Sequence, residues 1–204
     1  IRSLATLLEE ARTLAGWDGE GLRLTPMQVG VVDLFTSASD HVSISDAWRT
    51  RIAPLRDGSA DKGVPPVPSL SSILRPYQRR GHAWLTARLS SGIGGILADD
   101  MGLGKTVQIL SAVAALRAHA PAGDPSPVLV VAPTSVVGVW IDQARTFTPH
   151  LRVRAVTETA ARRGTTIQEE VADADIVVTS YTLVRLEAEQ WSQVRLGGVV
   201  IDEA

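Results

Sequence analysis

Short apolar runs alternate with longer segments of helical periodicity from about residue 70 to residue 204. The apolar runs have the length of strands, and the segments between them repeat their apolar positions every three to four residues. We expect strands at 95–98, 128–132, 153–156, 176–179 and 199–202. We expect helices at 77–90, 106–119, 136–147 and 168–172. This order predicts an α/β fold with a mostly parallel sheet covered by helices on both faces, which binds ligands where the strands end.

The first 56 residues follow a different pattern, which predicts a small helical region of unknown role. Its first apolar stripe has the spacing of an amphipathic helix and consists of Leu4, Leu7, Leu8, Ala11 and Leu14. Glycines within 17–21 interrupt this helix, and Thr25, Pro26 and Gln28 have the order of a capped helix start. A further helix is expected at 45–55.

Residues 57–69 contain several helix breakers and few large apolar side chains. Such a composition predicts a linker, with an extended conformation at its proline-rich end. The chain is therefore expected to consist of a helical region at 1–56, a linker at 57–69 and an α/β domain at 70–204.

Composition and charge exclude several classes of protein. The 204 residues suffice for one or two domains, and the absence of cysteine excludes a disulfide scaffold, a cysteine nucleophile and a thiolate metal site. The net charge is −2, so any nucleic-acid binding must come from a local surface. No apolar run approaches the roughly 20 residues of a transmembrane helix, and no secretory leader is visible. We expect no membrane partner and a cytoplasmic location.

A glycine-containing segment between a predicted strand and a predicted helix has the context of a phosphate-binding loop. Its residues are Asp99, Asp100, Met101, Gly102, Leu103, Gly104, Lys105 and Thr106. Glycines let main-chain N–H groups face an anion, Lys105 would reach the β- and γ-phosphates, and the Thr106 hydroxyl would bind Mg²⁺. Asp99 departs from the general motif, which has glycine there. A plain glycine-rich turn is the alternative, but only two of the 20 basic residues are lysine and one stands at this position.

The last predicted strand ends in Asp202 and Glu203. In a phosphate-loop ATPase, an aspartate at this place holds Mg²⁺ and the following glutamate polarises the attacking water. Acidic residues also end many ordinary buried strands, so the pair gains weight only from the phosphate loop upstream.

Several ordered motifs resemble those of the SWI/SNF-type DNA-translocating ATPases of helicase superfamily two, which include bacterial members. They lie at 74–78, 81–85, 94–106, 130–140, 178–181 and 202–204. Asp99 in place of glycine is usual in that family. The resemblance covers about 70–204 and leaves 1–70 aside.

The resemblance implies the first RecA-like lobe of such an ATPase, with ATP and Mg²⁺ as cofactors. It implies that Gln78 reads adenine, although an ordinary exposed helix glutamine is the alternative. It also implies double-stranded DNA as partner, contacted through its backbone by Pro133, Thr134, Ser135, Thr179 and Ser180. Thr134 and Ser135 could instead simply cap the following helix.

The family pattern leads to one main expectation for function. We expect an ATP-dependent DNA translocase whose second RecA-like lobe supplies arginine fingers, so that the 204 residues alone turn over ATP poorly. A non-catalytic RecA-like docking module is the alternative; a kinase, a transporter ATPase or a DEAD-box RNA helicase fits the motifs less well. Arg152, Arg154, Arg162 and Arg163 are either an electrostatic patch or an ordinary solvated face.

Overall fold

A computed structural model describes residues 16–17, 22–23, 43–46, 49, 63–92, 94–119 and 126–203. The chain divides into two compact units: Ile1–Lys62 with Ala87–Gly95, and Gly63–Thr86 with Ile96–Ala204. The boundaries expected at 56 and 69 stay predictions.

In the described part of the first unit, two short strands form an antiparallel pair, β1 (Gly16–Trp17) and β2 (Leu22–Arg23). They lie where glycines were expected to interrupt the helices, so this region is not purely helical. Asp46 and Arg49 are helical, and Arg49 N donates to Ser45 O at 3.0 Å, as expected for the third helix. The helices expected around Leu4–Leu14 and Thr25–Gln28 lie outside the described residues.

The second unit contains a four-stranded parallel sheet in the order β4-β5-β3-β6. The strands are β3 (Val128–Ala132), β4 (Val153–Val156), β5 (Ile176–Ser180) and β6 (Gly198–Ile201). Their bounds agree with four of the five predicted strands to within one residue. Continuous apolar runs of this kind suit strands that are covered on both faces.

Eight helices are described in 63–203. They are α1 (Pro68–Ser71), α2 (Pro76–Ser90), α3 (Lys105–His119), α4 (Thr134–Phe147), α5 (Ala160–Arg163), α6 (Ile167–Val171), α7 (Tyr181–Leu186) and α8 (Ala188–Ser192). All four predicted helices are present. The other four, α1, α5, α7 and α8, were not predicted. Pro68 starts a helix where an extended linker end was expected, because proline suits the first helical turn.

Side chains on alternate positions of β3 supply two separate cores, as the pleat of a strand requires. Val130 and Ala132 pack with α3 and α4 on one face, around the fully buried Trp140. Leu129 and Val131 pack with α6 and Trp191 of α8 on the other. The sheet is therefore a central layer between two layers of helices, as expected. No helix in the described residues combines the length and apolarity needed to cross a bilayer.

The predicted strand at 95–98 is wrong: these residues carry no strand, and Ile96 is 86% exposed. Two consecutive glycines, Gly94 and Gly95, precede the apolar residues and weaken a strand because they have no side chain to pack. The side chain of the next residue, Asp99, accepts a hydrogen bond from Gln108 on α3. The segment is therefore attached to a helix and not to the sheet.

A buried histidine joins α2, α3 and the chain before α1. His82 is 1% exposed; its Nε2 donates to Val64 O at 2.8 Å, and its Nδ1 accepts from the Ser111 hydroxyl at 2.9 Å. The Thr86 hydroxyl accepts from Val64 N at 3.0 Å. Burial lowers the pKa of His82, and the hydrogen bond to Val64 offsets this only in part. The neutral imidazole thus belongs to the folded state.

This network predicts a loss of stability in mild acid. Because the pKa of His82 is lower in the folded chain than its ordinary value of 6.5, the unfolded chain binds the proton more readily. The contribution of neutral His82 to the free energy of unfolding is fully present above pH 6.5. It falls as the pH drops below that value towards the folded pKa. We expect the melting temperature to decline between neutral and mildly acidic pH, with a smaller decline in His82→Gln. The exposed His150 gives the matched control, because His150→Gln should keep the wild-type decline; equal declines in all three proteins would contradict the prediction.

Candidate functional site

The phosphate-loop segment curls tightly before α3. Gly102 and Gly104 have φ angles of 85° and 76°, in the left-handed region that side chains other than glycine rarely adopt. At Gly104 a Cβ would also come within 2.7 Å of Gln78 Nε2. The backbone turn therefore favours glycine there, and a side chain would also displace the Gln78 amide.

The Lys105 side chain folds back over this curl. Its ammonium donates to the main-chain carbonyls of Asp99 at 2.8 Å and Asp100 at 3.3 Å. Lys105 is also the first residue of α3, whose N-terminus carries a partial positive charge. A cation and a helix N-terminus therefore meet at one turn of main chain, which is an arrangement that suits a polyphosphate.

Gln78 connects the preceding helix to the loop. It is 9% exposed, so the alternative of an ordinary exposed glutamine is wrong. Its Oε1 accepts from Arg75 N at 3.0 Å and its Nε2 donates to Leu103 O at 3.1 Å. The Tyr77 hydroxyl donates to the same carbonyl at 3.1 Å. An adenine ring read by Gln78 would take over hydrogen bonds that now hold the loop.

The structure also gives Asp99 a physical role that sequence reasoning missed. Gln108 is fully buried on α3, and its Nε2 donates to Asp99 Oδ2 at 2.8 Å. A glycine in place of Asp99 could not make this bond. Gly81 on α2 leaves room for Gln108, since a Cβ there would lie 1.8 Å from Gln108 Oε1. In the sequence, the sign of this contact was that Gln108 stands on the buried face of α3.

Asp202 is held from three directions at the end of β6. Its main-chain N donates to Val131 O at 2.9 Å, its Oδ2 accepts from Trp140 Nε1 at 2.7 Å, and its carbonyl accepts from the Tyr181 hydroxyl at 2.6 Å. Glu203 is exposed and has a φ of 55°, so the backbone turns sharply just after the aspartate. The polar contact of Trp140 was not predicted from the sequence.

The segment after β3 presents free hydroxyl groups. Thr134 and Ser135 are exposed in the first turn of α4, and Pro133 at the N-cap makes no side-chain hydrogen bond. The alternative that Thr134 and Ser135 cap this helix is therefore wrong, because α4 already begins at Thr134. Their side chains lie at the end of the sheet where ligands bind in such folds.

The residues at the end of β5 are placed differently from the expectation. Thr179 is fully buried, and its hydroxyl donates to Val156 O at 2.8 Å. Ser180 is 6% exposed and its Oγ accepts from Leu183 N, which caps α7. Both hydroxyls are thus bonded within the fold, and the expectation that Thr179 and Ser180 contact DNA stays a prediction.

Three of the four arginines considered for a basic patch are ion-paired. Arg152 pairs with Asp175 and Arg154 with Asp173, each at 3.2 Å. Burial of Asp175 by itself raises its pKa, but hydrogen bonds and charge attraction from Arg152, with attraction from Arg117, lower it overall. Arg163 pairs with the buried Glu187 at 3.2 Å. The charge of each of these three guanidinium groups is thus offset by a carboxylate, and of the three pairs the one between Arg163 and Glu187 is buried on both sides.

The residues present fit ATP and Mg²⁺. The loop has the left-handed glycines, the ammonium and the helix N-terminus that a triphosphate needs, and the Thr106 hydroxyl and the Asp202 carboxylate are the oxygen donors that Mg²⁺ prefers. The described residues contain no group of three or more histidine, aspartate or glutamate side chains able to hold a metal by themselves. Most ligands of the ion would therefore be phosphate and water, as is usual for Mg²⁺ in such sites.

Comparison with known proteins agrees with this geometry. The family model of the SNF2-related domain matches residues 77–204. YwqA of Bacillus subtilis (strain 168), named as an ATP-dependent helicase/translocase, is 39% identical over 137 residues, which are 67% of this chain and 15% of that protein. The ISWI chromatin-remodeling complex ATPase ISW1 of Saccharomyces cerevisiae is 35% identical over 64% of this chain and 12% of its own length.

Two solved structures of the Sulfolobus solfataricus SWI2/SNF2 ATPase core are similar in fold. The core in complex with dsDNA has a TM-score of 0.54 and 32% identity, covering 70% of this chain and 27% of that one. The core domain alone has a TM-score of 0.55 and 34% identity, over 64% and 25%. The chain thus spans about a quarter of these cores and a smaller share of the curated relatives. With its RecA-like α/β sheet, the chain belongs to the SNF2 family of helicase-like ATPases.

Proposed function

We propose that this chain is the ATP-binding lobe of a motor that hydrolyses ATP and moves along double-stranded DNA. One observation carries the proposal: the Lys105 ammonium is held over a curl of main chain that has left-handed glycines and opens a helix. Gln78, on the helix before the loop, is bonded directly to that curl. A glycine-rich turn without a phosphate ligand has no need of this cation.

Each residue of the site then has a physical task. ATP with Mg²⁺ supplies the phosphoryl group and its charge neutralisation. Lys105 and the N–H groups of the loop, with Asp100, Met101, Gly102, Leu103 and Gly104, bind and orient the phosphates. Thr106 and Asp202 hold the metal, Glu203 orients the attacking water, and Gln78 selects adenine.

DNA contact is proposed for Pro133, Thr134 and Ser135 after β3, and for Thr179 and Ser180 at the end of β5. Exposed hydroxyl groups and N–H groups at a helix start bind a backbone phosphate without reading sequence. The Sulfolobus core in complex with dsDNA supports a duplex as the partner. Such a protein would act in the cytoplasm, at the nucleoid in a bacterium.

A non-catalytic RecA-like docking module is the competing function. It would need no metal-binding aspartate and no residue placed to orient water, yet Asp202 is fixed by three hydrogen bonds and Glu203 follows it. We therefore favour the enzyme. A second RecA-like lobe would complete its site, so the 204 residues alone should turn over ATP slowly.

The polymer that stimulates ATP hydrolysis tests the proposed function. We expect the full-length protein to hydrolyse ATP faster with duplex DNA than with single-stranded DNA or RNA, and the stimulation to weaken as salt increases, because phosphate contacts release counterions. A steady-state ATPase assay with matched polymers measures this, with Lys105→Ala as the control for contaminating ATPases. Stimulation by RNA but not by duplex DNA would contradict the proposal.

A further inference from the structure

We propose that Trp140 and Tyr181 are positioning residues that fix Asp202 and connect the DNA-facing start of α4 to the metal site. The inference rests on the proposed function, because it takes Asp202 as the metal-binding carboxylate. It adds two residues, Trp140 and Tyr181, to the proposed site. It also adds a route by which duplex DNA changes metal binding.

The Trp140 indole makes a charge-assisted hydrogen bond to the aspartate. Trp140 Nε1 donates to Asp202 Oδ2 at 2.7 Å across 62 residues of sequence. The ring is 1% exposed and packs in the core with Val137 and Ala144, so its direction is fixed. Hydrogen bonds to an ionised group are about twice as strong as neutral ones. The bond uses one carboxylate oxygen and sets the direction in which the other faces.

The second contact comes from the end of β5. Tyr181 is the first residue of α7, and its hydroxyl donates to Asp202 O at 2.6 Å. Asp202 N in turn donates to Val131 O, two residues before Pro133. The aspartate is thereby tied to the ends of β3 and β5 as well as to α4.

Another tryptophan shows that a buried indole in this fold need not have a partner. Trp191 is 6% exposed in the opposite core, and its Nε1 has no hydrogen-bond partner in the described part of the chain. Burial of the ring alone therefore does not explain why Trp140 donates to a carboxylate. Trp140 acts on the site, whereas Trp191 only packs.

The helix links the two functions mechanically. Thr134 and Trp140 lie in the same 14-residue helix, about 9 Å apart along its axis. A backbone phosphate that shifts the start of α4 therefore shifts the indole and with it the carboxylate. Because coupling between two bound ligands is reciprocal, duplex DNA should change the Mg²⁺ affinity and Mg²⁺ should change the DNA affinity.

The test removes single polar atoms and keeps the shapes of the rings. Trp140 is replaced by 3-benzothienylalanine, which has sulfur in place of the indole N–H, and a second protein carries Tyr181→Phe. Mg²⁺ is titrated into the full-length protein with a fluorescent non-hydrolysable ATP analogue, with and without a short duplex. We expect the Mg²⁺ affinity to weaken about 10-fold or more at position 140, as for other groups that orient a metal ligand. The effect of the duplex on this affinity should shrink in both proteins.

Two controls separate positioning from structure. The same benzothienyl replacement at Trp191 should leave the Mg²⁺ titration unchanged, and analogue binding in the presence of a chelator should be equal in all proteins. The proposal is overturned if the replacements at 140 and 191 behave alike, or if Tyr181→Phe keeps the full effect of DNA. Tyr181 is 39% exposed, so its variant remains informative should the change at position 140 prevent folding. Failure of the proposed function looks different, because Lys105→Ala would then bind the analogue normally.

Discussion

Lys105→Ala is expected to bind ATP roughly 30-fold to 4,000-fold more weakly than the wild-type protein. Truncating one member of a hydrogen-bonded charge pair costs about 2–5 kcal/mol, and each 1.4 kcal/mol is about tenfold in affinity. The ammonium now donates only to the main-chain carbonyls of Asp99 and Asp100, which are polar groups of the loop itself. Little stability should therefore be lost, and the effect should appear in calorimetric titration with ATP and not in the melting temperature.

The sequence offers matched controls for this result. Lys62 is the other lysine and belongs to the predicted linker, so Lys62→Ala makes the same change of charge outside the loop sequence. Lys105→Arg keeps the charge but puts a broad planar group where a slender ammonium is needed, and it should also bind poorly. Unchanged ATP affinity in Lys105→Ala would remove the phosphate-loop assignment and the function built on it.

Much of the sheet could be predicted from sequence because its strands are continuous apolar runs. The runs at 128–132 and 153–156 have the bounds of β3 and β4. The run at 95–98 has similar composition but forms no strand, since two glycines precede it and Asp99 is bound to α3. Local hydrophobicity identifies residues that suit a strand, whereas the partner strand and the competing contacts lie elsewhere in the chain.

The site was predictable to the extent that its chemistry is local. Gly102, Gly104 and Lys105 act through neighbouring main chain, so their spacing was informative. The motif that contains Thr179 did not show that every residue of β5 is buried, or that the Thr179 hydroxyl donates to Val156 on β4. The contact between Trp140 and Asp202 joins residues far apart in sequence, and only the folded chain brings them together.

Glu203→Gln is expected to separate ATP binding from hydrolysis. The amide has nearly the shape of the carboxylate but cannot take a proton from the attacking water, and loss of a positioned general base costs roughly 10²–10⁴-fold in rate. Glu203 is exposed, so the replacement should not disturb the core. We expect kcat of the full-length protein with duplex DNA to fall by about that factor, while ATP affinity and melting temperature stay at their wild-type values.

The design of this measurement follows from the neighbouring residues. Glu189→Gln changes an exposed glutamate on α8 in the same way and should keep the wild-type kcat. Because Asp202 remains to hold the metal, Glu203→Gln should accumulate in the ATP-bound state on DNA, which a filter-binding assay with labelled ATP detects. A kcat near the wild-type value would remove Glu203 from the chemical step, although Lys105 would keep its role in binding. Loss of both ATP affinity and rate would instead show that the left-handed turn at Glu203 needs the carboxylate to position Asp202.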